Sequence, residues 1–264
     1  MSQIAITAGQ AAAVWAVVSV PIGAALPWAT KRVWVAATRK PNVEAVFGFQ
    51  AGEQKLFVAP TMPSESLQRR EFERMTTAFE GIYAYEELRS AFAGIRNQHD
   101  VCRILLSEGV RPDDLETNLV LIGGPNFNAL SRDLLSTVAS ECGFIGHKAV
   151  FPSAGLEFET ATQDDKSIRD YAILICKESP WPGGKRVFAV MGCRTFATMG
   201  VSRAIATREF QRKLGGSIRE RKLGSWVACV SIVARRVQAQ TIVYSAPHIE
   251  HLAPLEGTPI KRGA

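Results

Sequence analysis

Two glycine-bearing turns hold the residues best suited to chemistry. The first, Ile122-Gly123-Gly124-Pro125-Asn126-Phe127-Asn128, follows the apolar run Asn118 to Ile122 and precedes a helical pattern from Ala129 to Cys142. Glycine lets a backbone approach a ligand closely, and the start of the following helix offers unpaired N–H groups and a positive dipole end. Asn126 and Asn128 add amide donors and acceptors that suit a ribose, a base or a phosphate. A tight turn with Asn128 or Ser131 capping the helix would use the same residues. The turn has neither the Walker A spacing nor the GxGxxG spacing, so nucleotide hydrolysis and dinucleotide chemistry gain no support.

The second turn, Gly192-Cys193-Arg194-Thr195-Phe196-Ala197-Thr198-Met199-Gly200, repeats that architecture after the run Arg186 to Met191. Arg194 is fit to clamp a phosphate in bidentate fashion, and Thr195 and Thr198 can donate hydroxyls. The ligand-binding candidates are therefore Gly123, Gly124, Asn126, Asn128, Gly192, Arg194, Thr195 and Thr198. Pro60 to Ser64, after the KLFVA run, completes a rim, with Glu65 and Glu71 just beyond it. Glu157, Glu159, Asp164 and Asp165 form an acidic patch that reads first as a solvated loop. The four histidines, His99, His147, His248 and His251, fall into no HExxH or Ser–His–Asp pattern. The five cysteines are scattered and lack a CxxC pair, which argues against a disulfide framework and a structural zinc site. No metal is implied, and no cofactor can be named.

The elements that must position these turns read as strands and helices in alternation. Val43 to Phe49 and Lys55 to Ala59 read as strands, and Ser64 to Arg96 carries apolar residues at three- and four-residue steps. His147 to Phe151, Tyr171 to Cys176, Arg186 to Met191, Trp226 to Val233 and Gln240 to Tyr244 read as further strands. The second and third of these are joined by a turn at Pro180 to Gly184 that suggests a β-hairpin. A helix is expected from Val201 to about Leu214. Strand, glycine turn and helix in succession predict an α/β fold with a mostly parallel, Rossmann-like sheet plus one hairpin, over residues 43–245. The tail, 246–264, is rich in proline and glycine and is expected to be loose.

Met1 to Thr30 contain no charged side chain, and Lys31, Arg32, Arg39 and Lys40 follow at once. About 20 mainly apolar residues suffice to cross a bilayer, and basic flanks stay on the cytoplasmic side. The expectation is one N-terminal transmembrane helix at 1–30 and a basic juxtamembrane segment at 31–42 that meets anionic membrane lipids. The protein would then sit in the inner membrane as a single-pass protein, N-terminus out, with its domain in the cytoplasm. A cleaved signal peptide would carry its charges ahead of the apolar run rather than after it. The formal net charge of +6 is concentrated partly in that flank. The basic segment Arg208 to Lys222 is interrupted by Glu209 and Glu220 and has no aromatic series, so nucleic acid is not an expected partner.

The IGGP…N turn together with the later hairpin and G…T-x-G turn, over roughly Asn118 to Leu214, resembles a Rossmann-like module. Such modules occur in surface-layer-type proteins and in membrane-tethered nucleotide-sensing proteins of prokaryotes. At the second turn Ala197-Thr198-Met199-Gly200 replaces the plainer glycine–threonine step of that pattern. The resemblance implies ligand binding at the glycine turns and fixes no activity. The leading expectation is a membrane-anchored sensor or effector that binds a nucleotide-like or phosphorylated small ligand and acts through homo-oligomer contacts. One alternative is a tethered hydrolase or glycosyl-transfer enzyme using Glu65, Glu71 or Glu157. The other is a structural subunit of a membrane complex.

Overall fold

The computed structural model describes residues 46–49, 53–61, 71–92, 102–164, 167–238 and 241–255, except for the side chains of 71–80, 164 and 238. The strands are β1 (Lys55–Ala59), β2 (Cys102–Leu106), β3 (Asn118–Ile122), β4 (Gly143–Ile145), β5 (Lys148–Phe151), β6 (Leu156–Glu159), β7 (Ala161–Asp164), β8 (Ser167–Glu178), β9 (Arg186–Gly192), β10 (Trp226–Gln238), β11 (Thr241–Tyr244) and β12 (His248–Pro254). The helices are α1 (Glu71–Phe92), α2 (Ala129–Ser136), α3 (Thr195–Ile205) and α4 (Arg208–Glu220).

The continuous apolar runs arise because both faces of the central strands are covered. In β3, Val120 and Ile122 face one core while Leu119 and Leu121 face the other. The same alternation divides Phe57 from Leu56 and Val58 in β1, and Phe188 and Val190 from Val187, Ala189 and Met191 in β9. One core is shared with α1, α3 and α4. Its helix contacts recur at helical spacing, through Ala197, Val201 and Ile205 of α3 and Phe210, Leu214 and Ile218 of α4. Its centre is aromatic: the Phe188 ring lies 4.3 Å from Phe47 and 6.4 Å from Trp226. The other core is closed by α2 and by the small antiparallel sheet β4-β5-β6.

The main sheet runs β11-β10-β8-β9-β3-β1-β2, with β12 paired to β10 and β7 to β8. It is a mixed sheet curled into a half-barrel, which corrects the expected mostly parallel Rossmann-like sheet. Only β1·β2, β1·β3 and β3·β9 are parallel. The pairings of β8 with β7, β9 and β10, and of β10 with β11 and β12, are antiparallel. The cause is local. β8 leaves through a tight turn into β9 and so runs against it, and β10, entered after α3 and α4, lands on the far side of β8 rather than beside β9. The long return strand therefore separates β10 from the parallel run β2-β1-β3-β9, and β11 and β12 run against β10 in turn.

Further expectations are revised. Val46 and Phe47 are helical rather than extended. The stretch from Ala246, expected loose, contributes β12 along β10, and the polar run after Glu157 supplies parts of β6 and β7. The expected transmembrane helix at 1–30 and the basic segment at 31–42 lie outside the described residues. No helix among the described residues is long and apolar enough to cross a membrane. The expected architecture of a transmembrane helix ahead of a Rossmann-like domain, and with it the single-pass inner-membrane localisation, is corrected on that finding.

Phe188 is fully buried at the centre of the aromatic core. Phe188→Ala should lower stability by about 3–5 kcal/mol in urea titration. A loss below about 1 kcal/mol would contradict this packing.

Candidate functional site

Three turns meet at the carboxyl ends of parallel strands. β2 and β3 flank β1 on opposite sides, so the chain reverses its direction of travel across the sheet between β1 and β3. In open α/β sheets, ligands collect outside the carboxyl ends at such a switch. The turn after β1 begins at Pro60-Thr61, that after β3 at Gly123, and that after β9 at Gly192. Between them lies a cleft of about 550 Å³.

The floor of the cleft is fixed by hydrogen bonds. Asn128, fully buried, donates from Nδ2 to the carbonyl oxygens of Val58 (3.1 Å) and Ile122 (2.9 Å), and its Oδ1 accepts from the Ser131 N–H at 3.2 Å. Both amide protons are thus used to hold the ends of β1 and β3 together, and the oxygen caps α2. Gly123 N–H donates to Val190 O at 2.9 Å, and Thr61 N–H to Phe127 O at 2.7 Å. Gly123 has φ of +87°, a left-handed conformation that favours glycine, with Pro60 stacked against it.

The β9 turn is closed in a similar way. Thr198 Oγ1 accepts from Gly192 N–H at 3.0 Å. A Cβ at Gly192 would collide with Arg194 O and come within 2.7 Å of Thr198 N. Behind the turn stands Asp170, fully buried at the head of the apolar part of β8. Its Oδ1 accepts from Thr160 Oγ1 (3.0 Å) and Tyr171 N–H (2.9 Å), and its Oδ2 from Ala197 N–H (2.8 Å). The Arg194 backbone N–H also bonds to this carboxylate. Asp170 therefore caps α3 from a neighbouring strand. Burial pushes its carboxyl up to about 6 and outweighs the hydrogen bonds, which pull the other way.

Of the eight residues singled out by sequence, Gly123, Gly124, Asn126, Gly192, Arg194, Thr195 and Thr198 line this one cleft. Asn128 lies beneath it as a clamp. Thr198 is almost fully buried and accepts the Gly192 N–H, so its main work is to close the turn. Asn126 and Arg194 are exposed, and the Arg194 guanidinium makes no ion pair among the described residues. The sequence reading missed Asp170, the aromatic walls Phe127, Phe144 and Phe196, and His147. Gly146 and His147 come from the β4–β5 hairpin and also line the cleft. An acidic residue set directly before YAILIC was the available signal for Asp170, since a charge there must be capped or paired once the strand is buried.

Of the alternative carboxylates, Glu157 is described and does not line the cleft. Glu157 and Glu159 flank Lys148 on the small sheet, at 3.8 and 3.2 Å. Glu65 and the side chain of Glu71 lie outside what is described. Among the described residues no carboxylate lines the cleft, and no group of side chains could hold a metal ion. The Cys193 thiol, also at the cleft, is pushed up to about 12 by burial and then by the charge of Asp170, so it stays protonated and is a poor nucleophile. The cleft thus offers one exposed guanidinium, one imidazole, a carboxamide and three aromatic rings. No protein-family model matches the chain, and no curated protein matches it by sequence.

Two outcomes test this geometry. Asn128→Ala should cost about 2–4 kcal/mol in chemical denaturation, because it orphans two buried carbonyls and removes a cap. The second concerns pH. A carboxyl raised to about 6 binds its proton more tightly in the folded than in the unfolded chain. Its contribution to stability is therefore present below the ordinary carboxylate range and is lost as pH rises through about 6. The stability gap between the native protein and Asp170→Asn should shrink between about pH 4 and about pH 7, as read from urea titrations across that range. A gap that widens would reverse the sign argued here.

Proposed function

We propose that the chain is a small-ligand-binding module whose cleft takes a nucleotide-like or phosphorylated molecule. The observation that carries this reading is the convergence of the two glycine turns on one cleft at the switch between β1 and β3. The chemistry of the walls agrees with it. Arg194 supplies a fixed positive charge for a phosphate, and unspent N–H groups at the start of α3 lie beside it. Phe127, Phe144 and Phe196 offer flat apolar surface for a base, and Asn126 offers both donor and acceptor to its edge. The cleft volume falls in the usual range for small-molecule sites. Ligand seated here touches turns that belong to the main sheet and a hairpin that belongs to the small sheet. Binding would join them and alter contacts with further copies of the chain, which is the behaviour of a sensor or effector.

The test is thermal denaturation of the full chain with and without a panel of nucleoside phosphates. A ligand at a hundred times its Kd stabilises by about 2.7 kcal/mol. Arg194→Ala should abolish that shift while leaving the unliganded melting temperature nearly unchanged. Gly124→Val should abolish it too, because a Cβ there already lies 3.5 Å from Gly192 O and the larger side chain would wedge the two turns apart. Ligand shifts that persist in both variants would remove the assignment.

A further inference from the structure

An anion site at a helix start ordinarily gains from two positive sources, the helix dipole and a basic side chain. In this cleft the first source is already partly occupied. Asp170 binds the N–H of Ala197 at 2.8 Å and that of Arg194, at the third helical position and at the N-cap of α3. Above about pH 6 a negative charge thus sits behind the turn, against a dipole end equivalent to roughly half a positive charge. It is shielded from water: Asp170 is 0 % exposed, and its donors are one hydroxyl and backbone amides, with no cationic partner. Screening by salt is weak for such a charge.

The exposed wall lacks the charge to compensate for it. Arg194 is the one Lys or Arg among the described residues lining the cleft, and His147 is the other group there able to gain a positive charge. Cys193 stays neutral for the reason given above. A triphosphate would bring three or four negative charges to a site with one fixed positive charge and a buried negative one. A single phosphate would bring one or two and could place them all against Arg194 and the Thr195 and Phe196 N–H groups.

Resting on the cleft being a nucleotide-type site, we propose that Asp170 sets its charge selectivity, so that the ligand is a nucleoside-type molecule carrying one phosphate group rather than a polyphosphate. Asp170 acts as a positioning and screening group; it touches the turn and not the ligand.

Isothermal titration of the full chain with the nucleoside 5′-monophosphates and the matching triphosphates tests this directly. Wild-type protein should bind a monophosphate more tightly than its triphosphate. Asp170→Asn should raise triphosphate affinity relative to monophosphate by on the order of tenfold or more, since one buried unit charge near the ligand is removed. Thr160→Val strips one hydrogen bond from Asp170 and leaves its carboxyl less ionised. It should move the ratio the same way by a smaller factor, and it keeps the test open where the Asn variant is too unstable to titrate. A wild-type preference for triphosphates, or a ratio unmoved in the variants, would overturn the inference and leave the site standing. Absence of binding by every nucleotide would overturn the reading of the site itself, and this inference with it.

Discussion

Two-sided burial of the central strands is the constraint from which the other features follow. β1, β3, β9 and the middle of β8 have no face to give to water, so both sides must be covered, by α1, α3 and α4 on one and by α2 and the small sheet on the other. Polar chemistry is expelled to the strand ends. Backbone groups there must still be satisfied, and buried side chains do it: Asn128 for β1 and β3, Thr198 for β9, Asp170 for the start of α3. The cleft is what remains open once those ends have been tied together.

That constraint also explains what could be read in the sequence. NLVLI and RVFAV are apolar without alternation, which signals strands covered on both faces, and each run is followed by glycines and a helical period. Strand, turn and helix were legible for that reason, and so were Gly123, Gly124, Gly192 and Arg194 as residues of the turns. Strand direction was not. YAILIC has the same composition whether it runs with its neighbours or against them, and the turn at Pro180 to Gly184 gives the reversal of β8 against β9 but not the side on which β10 will land. β12 was hidden because prolines and glycines mark the end of its segment as a tail, and because its pairing partner is β10 rather than β11, the strand next to it in sequence.

The roles of individual side chains were legible only by type. Asn126 and Asn128 are two residues apart and chemically identical, yet one faces the cleft and the other is fully buried beneath it. Thr195 and Thr198 divide in a similar manner. Asp170 illustrates the limit more sharply: its four donors come from Thr160, Tyr171, Arg194 and Ala197, on three separate stretches of chain, and no local pattern announces such a meeting.

The clamp made by Asn128 has a mechanical consequence. Its two amide protons lock neighbouring strand ends to each other, so the base of the cleft cannot spread without breaking hydrogen bonds made by a fully buried side chain. The opposite wall, carried by Gly146 and His147, belongs to a three-stranded sheet with a ladder of its own. A shift of that wall on occupancy would leave the clamp intact, because none of the Asn128 hydrogen bonds reaches the small sheet.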